Sequence, residues 1–255
     1  MTAGKEKYDR DGYAIFRDVL DADLMAEVQE HIQWLLAHHP ADRPEFLDFG
    51  PVRDDPFWAR LVGDDRLLDI ASLFVGPEIA LFASQYLIKP PGDGKEVLMH
   101  QDAAYWPLDP MEVVTLWLAC DDVDAENGCM RVVPGSHRMG QQELRIRTDV
   151  DNVLSSEIAV DVDEDETVDI AISAGDVEVH HPTMVHGSHP NTSTRRRAGL
   201  TIRYIPTTTK LLNPGHRSAL LLRGEPEPSV DNYYLPRPRY VDGYHLRFRG
   251  CQEWV

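Results

Sequence analysis

Apolar positions follow two different rhythms along this chain, and the change comes at Pro77. Before it, Leu24, Met25, Val28, Ile32, Leu35 and Leu36 recur at three- and four-residue intervals. That period predicts an amphipathic helix over 22–38, with Asp21 placed to cap its N-terminus. Shorter helices are expected in "DPFWARLVG" and "DDRLLDIASLFVG", and "YAIFRDVL" (13–20) reads as a short strand with an exit turn. After Pro77, "IALFASQYLIKPP", "EVLMHQDA", "EVVTLWLACDDV", "CMRVVPG", "VDIAISAGDVEVHHPTMVHGS" and "AGLTIRYI" read as short strands broken by Gly, Pro, Asp and Asn. Helices in front of many short strands predict a mainly β, single-domain chain. The pattern suggests a sandwich or barrel behind an N-terminal helical layer over 1–78, with a double-sheet jelly roll over 79–206 as the leading candidate.

Two stretches interrupt this pattern. Residues 141–169 are long and acidic, too long for a simple hairpin connection, and predict a lid-like insertion over 138–168. The plainer alternative is a solvated loop. Residues 207–255 are rich in Pro, Arg and Tyr and are expected to wrap the domain irregularly.

Composition narrows the classes of function. The 255 residues are 42% hydrophobic, enough for a sizeable core. No run of about 18 apolar residues appears, so no membrane span is expected. "MTAGKEKYDRDGY" lacks the apolar region of a secretory signal. The formal charge of −18 argues against nucleic acid or anionic lipid as a partner. Three cysteines, Cys120, Cys129 and Cys251, form no even framework, so a reducing cytoplasm is the default. Cys120 and Cys129 are expected to be buried apolar residues.

Candidate chemistry begins at "MHQDAAYWPLDP", where His100 and Asp102 lie two residues apart. On a strand, residues i and i+2 share a face, so both side chains are expected to point inward together. Alone, such a pair is more often an ordinary hydrogen bond. Downstream, "MVHGSHPNTSTRRRAGLTIRY" adds His186, expected at a turn after a strand, then Arg197 eleven residues later at the start of another strand. Two histidines and one carboxylate match the facial triad of non-haem Fe(II) oxygenases, which leaves iron positions open for other ligands. A chelating 2-oxo acid with a second carboxylate needs a buried cation, and arginine meets a carboxylate bidentately. Arg197, Thr201 and Arg203 share one face of the expected strand, and periodicity does not choose between the two arginines. Arg195 and Arg196 fall in the preceding turn.

At these residues the chain resembles the phytanoyl-CoA dioxygenase family of Fe(II)- and 2-oxoglutarate-dependent oxygenases. The likeness lies in "LIKPPGDGKEVLMHQDAAYWP", "VTLWLACDDVDAENGCMRVVPGSH" and "HGSHPNTSTRRRAGLTIRY", with an opening "YDRDGYAIFRDVL" of the same kind. It spans roughly residues 7–206 and implies a double-stranded β-helix (jelly-roll) core. The resemblance implies that His100, Asp102 and His186 bind iron and that Arg197 holds the distal carboxylate of 2-oxoglutarate. It places Gln85, Trp117 and Ser188 around the cosubstrate and a Pro-Gly-Ser-His corner near the site. It implies O2 as second cosubstrate, release of succinate and CO2, and hydroxylation of a C–H bond in a small molecule or natural-product intermediate.

Neighbouring candidates were weighed against this set. His180 and His181 compete with His186, which has the His-Gly-Ser context and the spacing to Arg197. His137 and His189 are expected at the surface or behind the ligands. Tyr105 and Trp106 either line the substrate mouth or pack in the core, and Tyr233 and Tyr234 are further substrate candidates. Asp102 fills the position that a small residue occupies in related halogenases, which argues against halogenation. Desaturation, epoxidation and cyclisation use the same ligands. A rival from another class is a non-catalytic module that binds metal and a 2-oxo acid. A zinc hydrolase is disfavoured because no further acid is placed as a general base.

Overall fold

A computed structural model describes residues 2–38, 43–47, 54–213 and 218–255. Among the described residues before Pro77 the structure has the α-helices α1 (Thr2–Asp11), α2 (Ala22–His38), α3 (Pro56–Val62) and α4 (Asp65–Val75). Strand β1 (Tyr13–Phe16) is inserted among them. The expected helix over 22–38 is present, with Asp21 Oδ1 accepting from Leu24 N at 2.9 Å. The sequence reading missed α1 because only Tyr8 of it is buried among its apolar positions. Its support is instead the (i, i+4) pairs Lys5–Asp9 and Lys7–Asp11, at 2.5 and 2.9 Å.

The strands after Pro77 are β2 (Ile79–Lys89), β3 (Val97–His100), β4 (Leu108–Asp109), β5 (Val114–Ala119), β6 (Arg131–Val132), β7 (Leu144–Ile146) and β8 (Ser156–Ile158). They continue with β9 (Val168–Asp169), β10 (Val177–His180), β11 (His186–Ser188), β12 (Arg197–Pro206), β13 (Lys210–Leu211), β14 (Ser218–Arg223) and β15 (Tyr233–Tyr234). A major sheet runs β1-β10-β5-β12-β2-β14-β15 and a minor sheet β3-β11-β6-β9. Together they form the jelly roll that the strand spacing predicts.

Strand β12 explains the layering. All ten of its residues are buried, because both of its faces are covered. Ala198, Leu200, Ile202 and Tyr204 pack with Leu24, Val28 and Leu67 of the helices in one apolar cluster. Each such side chain, fully buried, contributes roughly 1.5–3 kcal/mol of hydrophobic stabilisation. The alternate residues Arg197, Thr201 and Arg203 face the space between the sheets. Gly199 lies on that same face, and a Cβ there would stand 1.9 Å from the Trp117 ring. The glycine therefore lets Trp117 lie across β12.

Two other expectations change. The acidic insertion is not a free loop: β7 and β8 form a hairpin, and β9 joins the minor sheet beside β6. The C-terminal part does more than wrap, because β14 adds to the edge of β2 and extends the major sheet.

Candidate metal centre

Strands β3 and β11 pair antiparallel with His100 directly opposite His186. Directly opposed residues share a face, and the two imidazole centroids are 4.2 Å apart. His100 Nδ1 bonds to Leu98 O at 2.9 Å and His186 Nδ1 to Met184 O at 3.0 Å. A carbonyl accepts only, so each Nδ1 carries the hydrogen and each Nε2 is the ring nitrogen left to face the cavity.

Asp102 arrives differently from the expectation of one strand carrying both groups. Strand β3 stops at His100, and Asp102 opens a 3-10 turn, Asp102–Tyr105. The reason lies in the bonds that Gln101 and Ala103 make. The Gln101 side chain donates to Thr183 O at 2.7 Å and Gly140 O at 3.0 Å and accepts from Gln142 N at 2.8 Å. Ala103 N then donates to Pro182 O at 2.8 Å. These bonds replace the ladder and aim Asp102 back at the histidines. Its Oδ1 lies 3.6 Å from His100 Nε2 and 4.0 Å from His186 Nε2. One ligand atom from each residue falls within 4.8 Å of the others. Atoms bound about 2.1 Å from one ion at right angles lie about 3 Å apart, so sub-ångström adjustments close this triad on a metal. His186 itself sits on a strand, not in the turn that the sequence suggested. The Pro-Gly-Ser-His corner supports it, as Ser136 Oγ accepts from Val185 N at 2.9 Å.

The electrostatics suit cation binding. Burial opposes ionisation of Asp102, but Arg203, His100 and His180 outweigh it and hold the carboxyl well below the usual range. Burial, with His100 and His180 nearby, pushes His186 well below a free imidazole, so it is neutral and able to coordinate. Behind the triad lies a pair that the sequence reading did not assign to this role. Glu178 and His180 are fully buried, with Oε2 to Nδ1 at 2.8 Å, and His180 Nε2 faces Asp102 Oδ2 at 3.6 Å. Burial disfavours charge on His180, yet Glu178 and Asp102 push it up to about 9. The alternation in "VEVH", which puts Glu178 and His180 on one face, was the available signal. His181 turns away, its Nδ1 accepting from Thr183 N at 3.1 Å. His137 lies tilted against it, with ring centroids 5.4 Å apart, and His189 is exposed.

A cavity of about 190 Å³ opens from the triad between the two sheets. Gln85, Trp117, Ser188, Arg197 and Thr201 line it, as do Tyr105, Trp106 and Arg203. Arg197 is 2% exposed, and its Nε and Nη1 have no hydrogen-bond partner among the described residues. Its guanidinium lies 4.6 Å from the Trp117 ring. Burial lowers it to about 10, which leaves it cationic at neutral pH. Lys89, directly opposite Arg197 in the register, is a second buried base that the sequence reading passed over. Its Nζ donates to Ser188 Oγ at 2.7 Å, and burial together with Arg197 lowers it to about 6. A lone lysine inside the apolar run "QYLIKPP" was the signal.

The hairpin contributes Val153 and Leu154 to the cavity, and Tyr105 OH meets Ser156 Oγ at 2.6 Å. The six acids of "DVDEDETVD" are all exposed. Tyr233 and Tyr234 do not line the cavity: Tyr233 is 63% exposed, and Tyr234 packs on the Ala80, Leu108 and Leu211 cluster. All three cysteines are free and buried. No helix among the described residues is long and apolar enough to cross a membrane.

A family model described as phytanoyl-CoA dioxygenase (PhyH) matches residues 8–199. "Phytanoyl-CoA dioxygenase 1" of Oryza sativa subsp. japonica is 35% identical over 128 residues, covering 50% of this chain and 45% of its own length. The chain thus spans about half the length of the curated relatives it matches first. Among solved structures, the non-heme monooxygenase ThoJ in its apo form superposes with a TM-score of 0.79 at 28% identity, covering 92% of this chain and 88% of its own. The epimerase SnoN in complex with Fe3+, alpha ketoglutarate and nogalamycin RO superposes with a TM-score of 0.68 at 25% identity, covering 94% and 96%.

Proposed function

The chain belongs to the phytanoyl-CoA dioxygenase family, and from that premise we propose that it is an Fe(II)- and 2-oxoglutarate-dependent dioxygenase. It oxidises an unactivated C–H bond of a small molecule or natural-product intermediate, by hydroxylation, with release of succinate and CO2. One observation carries this reading. A buried arginine with two unpartnered donors shares a cavity with a His-Asp-His cluster. A buried charge left without a partner is costly, so its retention points to an anion that completes it.

His100 Nε2, Asp102 Oδ1 and His186 Nε2 would hold the metal and leave three of six positions open. Iron bound there supplies the oxygen activation, and the protein supplies position and environment. Arg197 offers its fork to the distal carboxylate of 2-oxoglutarate, which orients the 2-oxo acid end toward the triad. Trp117 stacks on that guanidinium, and Ser188 stands beside it. Lys89, anchored to Ser188, fixes the hydroxyl on that wall. His180 faces the Asp102 oxygen turned away from the histidines and so orients the carboxylate from behind. Tyr105, Trp106, Val153 and Leu154 close the opposite side and limit water around the reacting bond.

The test is O2-dependent succinate release by Fe(II)-loaded protein screened against small-molecule substrates, alongside calorimetric titration of 2-oxoglutarate under argon. Binding with substrate-stimulated succinate is expected. Tight metal and 2-oxoglutarate binding with no succinate across the screen would make the chain a binding module instead.

A further inference from the structure

The cavity holds two arginines, and 2-oxoglutarate accounts for one. We propose that the second, Arg203, is an anchor for a carboxylate on the substrate. The inference rests on the dioxygenase reading above and deepens it. Arg197 and Arg203 lie six residues apart on β12, so their Cα atoms are about 20 Å apart along the strand. Arg203 sits at the triad end: its Nε is 3.7 Å from Asp102 Oδ2, and it pairs in register with Thr115, whose hydroxyl donates to that same oxygen at 3.2 Å. Arg197 has no contact of this kind and stacks on Trp117 at the other end. A five-carbon diacid that runs from the metal to Arg197 therefore extends away from Arg203. The space beside Arg203 is left for the other reactant.

Three features make Arg203 a built site rather than a stray charge. It is 8% exposed, and its Nε has no hydrogen-bond partner among the described residues. Trp106 lies over the guanidinium at 5.2 Å, and Gln85 Oε1 accepts from Nη1 at 3.5 Å, so the fork is oriented from two sides. Charge balance also leaves it uncompensated in the loaded site. The two charges of a divalent ion and that of Arg197 cancel those of Asp102 and of the cosubstrate dianion. Glu178 bonds to His180 and does not line the cavity. Arg203 remains. A single planar fork matches one carboxylate bidentately, and the nearby Tyr105, Trp106, Val153 and Leu154 suit an apolar body attached to it.

A different hollow, of about 400 Å³, lies against the hairpin and carries Arg131, Arg145 and Arg147. Each of those arginines is already paired with acids, Arg131 with Glu164 and Asp169 and the other two with Glu157. An anion has less to gain there than at Arg203.

The test uses the full chain loaded with Fe(II) and 2-oxoglutarate under argon. The probes are benzoate, phenylacetate and hexanoate, each set against its own primary amide, titrated by calorimetry. At least one carboxylate should bind tenfold or more tightly than its amide. Arg203→Gln should abolish that preference and Arg203→Lys should restore part of it, while both variants keep 2-oxoglutarate affinity within about threefold, which also certifies their fold. No carboxylate preference in the wild-type protein overturns the proposal, as does a preference that survives Arg203→Gln. Loss of 2-oxoglutarate affinity in Arg203→Gln as large as in Arg197→Gln would move Arg203 to the cosubstrate. Failure of the wild-type protein to bind 2-oxoglutarate at all would instead sink the dioxygenase reading itself.

Discussion

The two ends of the cavity are built differently. At the end proposed for the cosubstrate, Arg197, Thr201 and Trp117 stand on β12 and β5, and β12 is in register with β2 at ten positions and with β5 at six. At the end proposed for the substrate, Arg203 and Gln85 also stand on β12 and β2, but the remaining walls are a 3-10 turn, Asp102–Tyr105, and the tip of a hairpin whose two strands pair at three positions. The hairpin meets that turn through the Tyr105–Ser156 hydrogen bond. Long paired strands fix a side chain more rigidly than a turn or a short hairpin does. On the proposed function, the difference teaches that the end that would be shared by every turnover is fixed by the sheet. The end that would fit one particular molecule keeps its arginine on β12 and leaves the rest of its wall to elements that change at small cost to the fold.

The sharpest way to break this comparison is at the triad, where both ends meet. Asp102→Ala or His186→Ala should lower metal affinity by at least about a hundredfold, the upper end of what loss of a mere supporting partner costs. Metal content after dialysis and succinate release measure it. Full occupancy with wild-type activity in either variant would remove the residue from the ligand set. Next comes the rigid end. Arg197→Gln should weaken 2-oxoglutarate binding by roughly thirtyfold or more, since loss of a buried charge partner typically costs about 2–5 kcal/mol. Metal binding should persist in that variant.

The adaptable end should answer in the opposite sense. Removing the hairpin tip, residues 148–154, should leave metal and 2-oxoglutarate affinities within about twofold, because the deletion touches no long-register strand. Succinate release should then uncouple from product formation. Product formed at the wild-type rate would show the hairpin to be plain surface.

The smallest effect concerns stability against pH. Burial, with His137 and His180 nearby, pushes His181 down to about 4. Its folded value lies below its unfolded one. As pH falls from about 6.5 toward 4, the unfolded chain takes a proton that the folded chain refuses, and stability drops. His181→Gln should flatten that slope, read as the change in urea midpoint between pH 7 and pH 5. An unchanged slope would place the sensitivity elsewhere.

What could be read from sequence follows the same division. The helical period over 22–38 and the alternation along "RAGLTIRYI" were legible because each element buries one face and the period records which. That His100, Asp102 and His186 would come together was legible because their residue types and spacings limit the chemistry, whereas Arg197 was singled out from Arg203 only by the family resemblance. Parity placed Arg197 and Arg203 on one face but said nothing of what each meets. That depends on which end of β12 lies near Asp102, a property of the assembled sheets. The turn at Asp102 was misread as strand because the bonds that end β3 come from Gln101 to residues 39 and 82 positions away. Lys89, Glu178 and His180 were passed over for a related reason: a polar residue inside an apolar strand gains meaning only when its cross-sheet partner is known.

The most direct measurement is a crystal structure of the chain with Fe(II) and 2-oxoglutarate, grown under argon. One ion should lie on His100 Nε2, Asp102 Oδ1 and His186 Nε2, with the distal carboxylate of 2-oxoglutarate on the Arg197 fork and the Arg203 side free of it. An ion held by His180 and Glu178, or a distal carboxylate seated on Arg203, would contradict the assignment of both ends of the cavity.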